Sequence, residues 1–243
     1  SNIANIAMVL GAVGIVCGRI RVSRHFIKRD YPLMFVLAIM AWLFSMGVHG
    51  EFILTRAEGF AMFSLFFVFA VYAYLRPIET PDPEGEGEES DYHDASVHKL
   101  VGITLVGFIC LSAGSELLVR GAQKLALGLG VSESTVGITM VAFGTSLPEL
   151  AASIAAGLKN RLDMLVGGII GSNIANTAVV LGSVSMLVPI SVAEPLTTYE
   201  LPVMVLISAL LWWFIIKGCI ERWQGVFLFV GYSAFIVSLF TFV

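Results

Sequence analysis

Two short polar motifs stand inside apolar stretches of this chain and carry the side chains that bind hard cations. The first is Gly144-Thr145-Ser146-Leu147-Pro148-Glu149, and the second is Gly171-Ser172-Asn173-Ile174-Ala175-Asn176. Together they supply a carboxylate, hydroxyls and amide oxygens, which suit Na⁺ and Ca²⁺ better than softer metals. A carboxylate within a membrane helix costs about 2.5 kcal/mol or more, so Glu149 is by default a functional residue.

The spacing within each motif places its polar groups on one side of a helix. Thr145 and Glu149 are four residues apart and share a face, as do Ser172 and Asn176. The short basic loop at 159–161 joins the two helices. The helices are therefore expected to lie antiparallel and to meet in mid-membrane.

Proline and glycine predict irregular backbone at both motifs. Pro148 has no N–H and its ring clashes with the carbonyl of Gly144, so the helix is expected to kink or unwind within 142–148. Carbonyls released there, such as that of Ala142, could face a ligand. Gly168 and Gly171 are expected to weaken the second helix and to let a neighbouring helix approach closely.

The second motif occurs twice in the chain. Residues 1–11 return as residues 172–182 and differ only where Ile6 is replaced by Thr177 and Met8 by Val179. Ser1 and Asn5 therefore correspond to the serine and the second asparagine of the later copy. An internal repeat with polar, interrupted helices is typical of a secondary transporter.

The composition indicates an all-α polytopic membrane protein. The chain is 57% hydrophobic and 13% charged, and its mean hydropathy is +0.89, which is too apolar for a soluble domain. About 20 apolar residues are needed for each span. Eight spans are predicted, at about 3–18, 32–49, 59–75, 98–119, 132–157, 164–188, 199–216 and 224–243.

The charges predict an orientation. Eleven of the 14 basic residues fall in one alternate set of loops, at 19–31, 76–99, 158–163 and 217–223. The positive-inside rule places this set in the cytoplasm of a plasma (inner) membrane and the C-terminus outside. Residues 79–94 hold eight acids and no lysine or arginine. The linker 77–97 is therefore expected to be a solvated cytoplasmic tether, with a weak regulatory calcium site as the alternative.

Other polar residues have a structural explanation. Serine, threonine and asparagine in membrane helices often only pack helices together. Glu116 and Arg120 are expected to form an ion pair within one helix. Trp212, Trp213 and Trp223 are expected at the membrane interface. The cysteines and histidines have no metal-binding spacing, and we find no nucleophile–base pair or phosphate loop. No cofactor, no enzymatic activity and no nucleic-acid partner are therefore expected.

The two motifs together resemble the α-repeat of the cation/calcium exchanger superfamily, most closely that of prokaryotic calcium/sodium antiporters. The resemblance implies a fold of ten helices in two inverted halves, of which this chain matches the last eight. Residues 1–76 would be part of the first half, and 98–243 the complete second half with its α-repeat at about 132–188. The expected moving parts are the family's first helix and its partner at about 98–119.

The resemblance also implies an ion site and its transported substrates. Na⁺ would be exchanged for Ca²⁺ by alternating access. Membrane lipid is a further expected partner. The implied ligands are Glu149, Thr145, Ser146, Ser172, Asn176 and the carbonyl of Ala142, with Ser1 and Asn5 at matching positions of the first repeat.

Two departures from the family pattern bear on function. The first-repeat copy of Gly-Thr-Ser-Leu-Pro-Glu, with its second glutamate, is missing. The chain is therefore expected to be truncated at its N-terminus and incomplete for transport as it stands. Asn176 stands where some relatives have aspartate, which counts against potassium coupling and predicts weaker calcium binding. Three alternatives remain: a proton-coupled antiporter of the same fold, an ion channel, and a membrane scaffold that transports nothing.

Overall fold

The computed structural model describes residues 1–47, 52–76, 96–130 and 144–242, and within these ranges the chain is almost wholly helical. The sequence prediction of an all-α polytopic architecture is confirmed. We number the described helices α1 to α8, which comprise α1 (Ala4–Cys17), α2 (Tyr31–Ser45), α3 (Arg56–Leu75), α4 (Val97–Gly128), α5 (Leu147–Leu158), α6 (Leu162–Leu187), α7 (Leu196–Ile215) and α8 (Arg222–Phe242).

Five of the described helices are long and apolar enough to cross a membrane, fewer than the eight spans predicted. They are α3, α4, α6, α7 and α8, whereas α1 and α5 are apolar but shorter. The predicted span 132–157 lies partly outside the described residues. The helix predicted at 98–119 is longer than expected. With 32 residues, α4 is about 48 Å long, which exceeds the roughly 30 Å hydrocarbon core.

Two small β-ladders, which the sequence did not predict, join the loops at the helix ends. Strand β1 (Ile20–Arg21) pairs antiparallel with β4 (Cys219–Ile220), and β2 (Ile53–Leu54) pairs with β3 (Ile190–Ser191). Each strand is only two residues long, too short for an alternating pattern to be visible in sequence. The β1–β4 ladder joins two loops that the charge distribution places on the same side of the membrane.

Four π-helical turns interrupt the α-helices at corresponding places in the repeat. Ala4–Val9 opens α1 and Ala175–Leu181 lies within α6, so Asn5 and Asn176 are each the second residue of a π-helical turn. Phe26–Asp30 precedes α2 and Leu196–Glu200 opens α7. A proline, Pro32 or Pro202, stands two residues after each of these two turns and has no N–H to donate to the carbonyl four residues earlier. The missing hydrogen bond allows the preceding backbone turn to widen.

Glycines allow two pairs of helices to approach closely. A Cβ at Gly225 in α8 would lie 2.9 Å from the Cα of Gly14 and 3.0 Å from the carbonyl oxygen of Gly11, both in α1. The corresponding contact places Gly59 of α3 against Gly182 and Ser185 of α6, where an added Cβ would overlap with Ser185 Oγ. Because backbone meets backbone at these crossings, no larger side chain fits there.

Helices α2 and α7 pack against each other through aromatic residues. Buried Tyr31 donates a hydrogen bond to the carbonyl oxygen of Ser208 at 2.6 Å. The Trp212 ring lies 5.8 Å from that of Tyr31 and 5.3 Å from that of Phe35. Trp212 therefore packs against α2, whereas Trp213 and Trp223 are exposed. The interfacial position expected for these three tryptophans stays a prediction.

The α1–α8 crossing yields a stability prediction. We expect Gly225→Ala to lower the free energy of unfolding by about 1–3 kcal/mol, because the added methyl group meets backbone atoms that cannot move aside. Gly231→Ala in the same helix is the matched control, since a Cβ there has no neighbour within 4 Å among the described residues. Thermal unfolding in detergent measures both, and an equal response of the two variants would contradict the prediction.

Candidate cation site

The first motif folds as a turn followed by a new helix. Thr145 and Ser146 form the turn, and α5 begins at Leu147 with Pro148 at its second position. Proline is well suited to this place, because its missing N–H would have no partner in the first turn of a helix. Pro148 therefore begins a helix and does not kink one, although the interruption within 142–148 is present. The Ala142 carbonyl lies outside the described residues.

The carboxylate of Glu149 lies in the first turn of α5 and faces the second motif. Ser172 Oγ donates to Glu149 Oε1 at 3.3 Å. Ser172 Oγ in turn accepts from Asn5 Nδ2 at 3.4 Å. One hydroxyl therefore connects the carboxylate of the first motif to both copies of the second, which brings together three of the residues proposed from sequence.

The two copies of the repeated motif bind each other reciprocally. Asn5 Nδ2 donates to the Ser172 hydroxyl and, at 2.9 Å, to Asn173 Oδ1. In the mirror contact, Asn176 Nδ2 donates to Ser1 Oγ at 2.9 Å and to Asn2 Oδ1 at 3.1 Å. Each asparagine amide thus bridges the serine and asparagine that open the other copy, as expected around an approximate two-fold axis.

Three buried oxygens next to these contacts accept no hydrogen bond within the described part of the chain. They are Asn5 Oδ1, Ser146 Oγ and Glu149 Oε2. Ser146 and Asn5 are wholly inaccessible to solvent. Buried oxygens without a donor are costly, and a cation supplies the compensation that a hydrogen bond would otherwise give. The donor set, which consists of a carboxylate, a hydroxyl and an amide oxygen, fits Na⁺ or Ca²⁺ as a transported substrate.

A cavity of about 450 Å³ opens beside the carboxylate. Thr145, Glu149, Asn176 and Ser1 line it, together with Glu200 of α7. Its described lining holds two acids and no lysine, arginine or histidine side chain. The two carboxylates make the cavity a candidate path for cations to Glu149.

The glycines of the second motif do not act as expected. Gly168 and Gly171 lie within an uninterrupted α-helix, Leu162–Ile174, and a Cβ at either has no described neighbour within 4 Å. A membrane helix keeps its backbone hydrogen bonds even at glycine, because lipid offers no substitute. The close approach occurs at Gly167, where Phe26 Cζ is 2.9 Å from an added Cβ. In the first motif, a Cβ added at Gly144 would lie 3.1 Å from Val119 Cγ2 of α4, so this glycine does allow a close approach.

Three polar residues at the site were not singled out from sequence. Asn2 donates to Thr177 Oγ1 at 2.8 Å, and Asn173 is buried and accepts from Asn5. The signal for both was the repeat itself, because Asn2 and Asn173 are identical in the two copies. Glu200 ends the π-helical turn that corresponds to Phe26–Asp30, and the equivalent acid, Asp30, pairs with Arg29 at 2.9 Å.

The ion pair predicted between Glu116 and Arg120 is present and lies apart from the site. Arg120 Nε donates to Glu116 Oε1 at 2.7 Å on α4, and both side chains are exposed. Neither residue lines the cavity. The structural explanation of this pair is therefore confirmed.

Reciprocal contacts between two copies of one motif, interrupted helices and a polar site within apolar helices define a multi-pass membrane transporter with an internal repeat. A model of the sodium/calcium exchanger protein family matches residues 1–75 and 99–241. The chain belongs to this family. The resemblance drawn from the two motifs is thereby confirmed.

Similar proteins agree in sequence and in fold. An uncharacterised membrane protein of Methanocaldococcus jannaschii is 35% identical over 242 residues, which cover 98% of this chain and 74% of that protein. The sodium/calcium exchanger MaX1 of Methanosarcina acetivorans is 41% identical over 128 residues, which cover 52% of this chain and 37% of that protein. A structure of the sodium-calcium exchanger NCX_Mj soaked with zero Na⁺ and Ca²⁺ superposes with a TM-score of 0.75 at 32% identity, covering 98% of this chain and 73% of that one.

The reciprocal contacts predict unequal effects of two matched substitutions. Asn5→Ala should lower the free energy of unfolding by about 1–3 kcal/mol, because it leaves a buried amide oxygen of Asn173 without its donor. Asn176→Ala removes the equivalent contacts at a partly exposed position and should cost less. Chemical denaturation in detergent measures both free energies of unfolding. A larger loss for Asn176→Ala would contradict the prediction that the buried contacts of Asn5 contribute more.

Proposed function

We propose that this protein exchanges Na⁺ for Ca²⁺ across the membrane, using a site built where the two copies of the repeat meet at Glu149. The observation that carries the proposal is the contact of Ser172 with both Glu149 and Asn5, next to buried oxygens that accept no hydrogen bond within the described residues. Membership of the sodium/calcium exchanger family supports the choice of ions. The relatives named as sodium/calcium exchangers support it further.

The proposed ligands follow from chemistry and position. Glu149 supplies the negative charge, and Ser146 and Asn5 supply neutral oxygens from buried positions. Thr145, Ser172, Asn176 and Ser1 complete the set from the cavity and its hydrogen-bonded rim. The Ala142 carbonyl is retained as a proposed ligand on the resemblance alone. Glu200 is added as an acidic residue of the cavity that draws cations towards the site.

Exchange follows from the cost of a buried charge. An uncompensated carboxylate in the membrane is unfavourable, so Glu149 favours a state with a bound cation. Na⁺ and Ca²⁺ use the same hard oxygens and therefore compete for them. Because both ions need the same ligands, one must leave before the other binds. The inverted repeat supplies two related conformations, which expose the site to one side and then to the other.

The proposed membrane arrangement rests on the charge distribution. The loops joined by the β1–β4 ladder carry Arg19, Arg21, Lys217 and Arg222, and we assign them to the cytoplasm of the plasma membrane with the linker 77–97. The C-terminus then lies outside. Residues 1–76 and 98–243 would form the two halves, and the reciprocal contacts of the repeat motifs support that division.

A transport measurement tests the site. Ca²⁺ uptake into vesicles driven by an imposed Na⁺ gradient should fall at least about tenfold in Glu149→Gln, because the neutral amide cannot compensate a divalent cation. Glu116→Gln is the matched control, since its exposed carboxylate pairs with Arg120 on α4 and should leave uptake unchanged.

The other outcomes separate the rival functions. Uptake that persists without Na⁺ and follows a pH gradient would show proton coupling in the same fold. Currents above carrier rates would indicate a channel. A folded protein that shows neither uptake nor Ca²⁺ binding sensitive to Glu149→Gln would favour a membrane scaffold. Equal uptake by Glu149→Gln and the unsubstituted protein would remove Glu149 from the site.

A negative charge introduced at position 176 of the second motif gives a complementary prediction. Asn176→Asp places a carboxylate on the rim of the cavity, and it should increase the apparent Ca²⁺ affinity several-fold by adding Coulomb attraction. Ca²⁺ dependence of uptake at fixed Na⁺ measures the change. Asn2→Asp, at a neighbouring cavity position, serves as a comparison for a charge added near the site but outside the proposed ligand set. An equal gain in both variants would indicate general attraction and no coordination at position 176.

A further inference from the structure

An apolar crevice of about 400 Å³ lies between α1, α7 and α8, on a different part of the molecule from the cation site. Its described lining carries no polar side chain and includes Leu206, Leu210, Phe227 and Gly231. Leu206 and Phe227 line the crevice and yet are 68% and 54% exposed. Because α7 and α8 are long and apolar enough to cross the membrane, the crevice opens towards the hydrocarbon of the bilayer.

At the position of Gly231, which lines the crevice, the other half of the repeat carries a larger side chain. Helix α8 corresponds to α3 at a spacing of 166 residues, as the two glycine crossings at Gly59 and Gly225 show. Gly231 therefore corresponds to Leu65, which packs partly buried against the core. A Cβ at Gly231 would meet no described atom within 4 Å. The crevice is thus the space that a leucine side chain fills in the other half.

Aromatic side chains mark one end of the crevice. On α7 the helical face that carries Leu206 and Leu210 continues to Trp213, and Lys217 lies in the turn that follows the helix. On α8, Trp223 precedes Phe227 by one turn. The Phe214 ring lies 5.5 Å from that of Trp213 and 5.7 Å from that of Trp223. Tryptophan at a helix end is typical of the level of the lipid headgroups.

The turn beyond these tryptophans carries positive charge. Lys217 and Arg222 are exposed, and Arg19 reaches the same turn across the β1–β4 ladder, where it donates to Cys219 Sγ at 3.4 Å. The one acid of this turn is Glu221, and its carboxylate accepts from Trp223 Nε1 at 3.1 Å. Three bases therefore face one acid, and the net charge favours an anionic headgroup.

We propose that an anionic phospholipid of the cytoplasmic leaflet binds here, with its headgroup at Lys217 and Arg222 and one acyl chain in the crevice. The dimensions agree with this occupant. Phe227 and Phe235 are five and thirteen residues beyond Arg222, which places the crevice roughly 8–20 Å below the headgroup. One leaflet of hydrocarbon is about 15 Å deep. The lipid fills the space left by Gly231 and holds α7 against α8.

Lipid retention tests the headgroup and acyl contacts separately. The protein is purified in detergent from membranes of phosphatidylglycerol and phosphatidylcholine, and the retained lipids are quantified by native mass spectrometry. Lys217→Gln should lower phosphatidylglycerol retention about fivefold by removing one headgroup charge. Gly231→Leu should lower it at least as much by filling the crevice, and the open space around Gly231 allows this variant to fold.

Two matched controls distinguish a site from general attraction. Lys159→Gln removes an exposed lysine from another loop, and Gly107→Leu places the same side chain on the exposed face of α4. Both should retain phosphatidylglycerol like the unsubstituted protein. Equal loss in the controls would overturn the proposal. Unchanged retention in Gly231→Leu would also overturn it, as would equal retention of phosphatidylcholine and phosphatidylglycerol by the unsubstituted protein.

Discussion

The side-chain amide of Asn5 is wholly buried in the apolar interior, and its need for partners determines much of this architecture. Its N–H groups reach Ser172 and Asn173, which lie about 170 residues later in the chain. Such partners are available only if the two copies of the motif meet in opposite directions at one depth. The glycine crossings let α1 and α8, and α3 and α6, come close enough for this meeting. The two β-ladders join the loops in the same reciprocal way.

Irregular backbone gives these polar groups their direction. Asn5 and Asn176 each lie in a π-helical turn, where the wider hydrogen-bonded ring shifts the side chain from the face that regular α-helical spacing would give it. Glu149 gains its position differently, from the turn at Thr145–Ser146 and the new helix that Pro148 begins. Ser146 therefore lies outside a helix, and its hydroxyl is left without a described donor. The site depends on these local departures from the α-helix.

The sequence predicted those parts of the fold that arise from composition, repetition and proline. It indicated an all-α membrane protein, a repeat whose two copies begin at Ser1 and Ser172, and a helix interruption just before Glu149. It did not predict the π-helical turns at Asn5 and Asn176, because no proline follows them and widening there depends on how polar side chains pair across the interface. Nor could it predict which glycine meets a neighbour: Gly167 and Gly168 are adjacent, and only packing decides that Phe26 lies against the first. Nor could it predict that Trp212 packs against Tyr31 and Phe35, since that contact depends on the neighbouring helix.

Differences between the two halves point to function better than their similarities do. Reciprocal contacts give the amide N–H groups of Asn5 and Asn176 their partners but leave Asn5 Oδ1 without a described donor. Where the repeat departs from symmetry, a group loses its internal partner. Asp30 pairs with Arg29, whereas the corresponding Glu200 faces the cavity beside Glu149. Leu65 fills its place in the core, whereas the corresponding Gly231 leaves a space open to lipid. A symmetric scaffold thus supplies stability, and its asymmetric positions supply the surfaces available to ions and to the membrane.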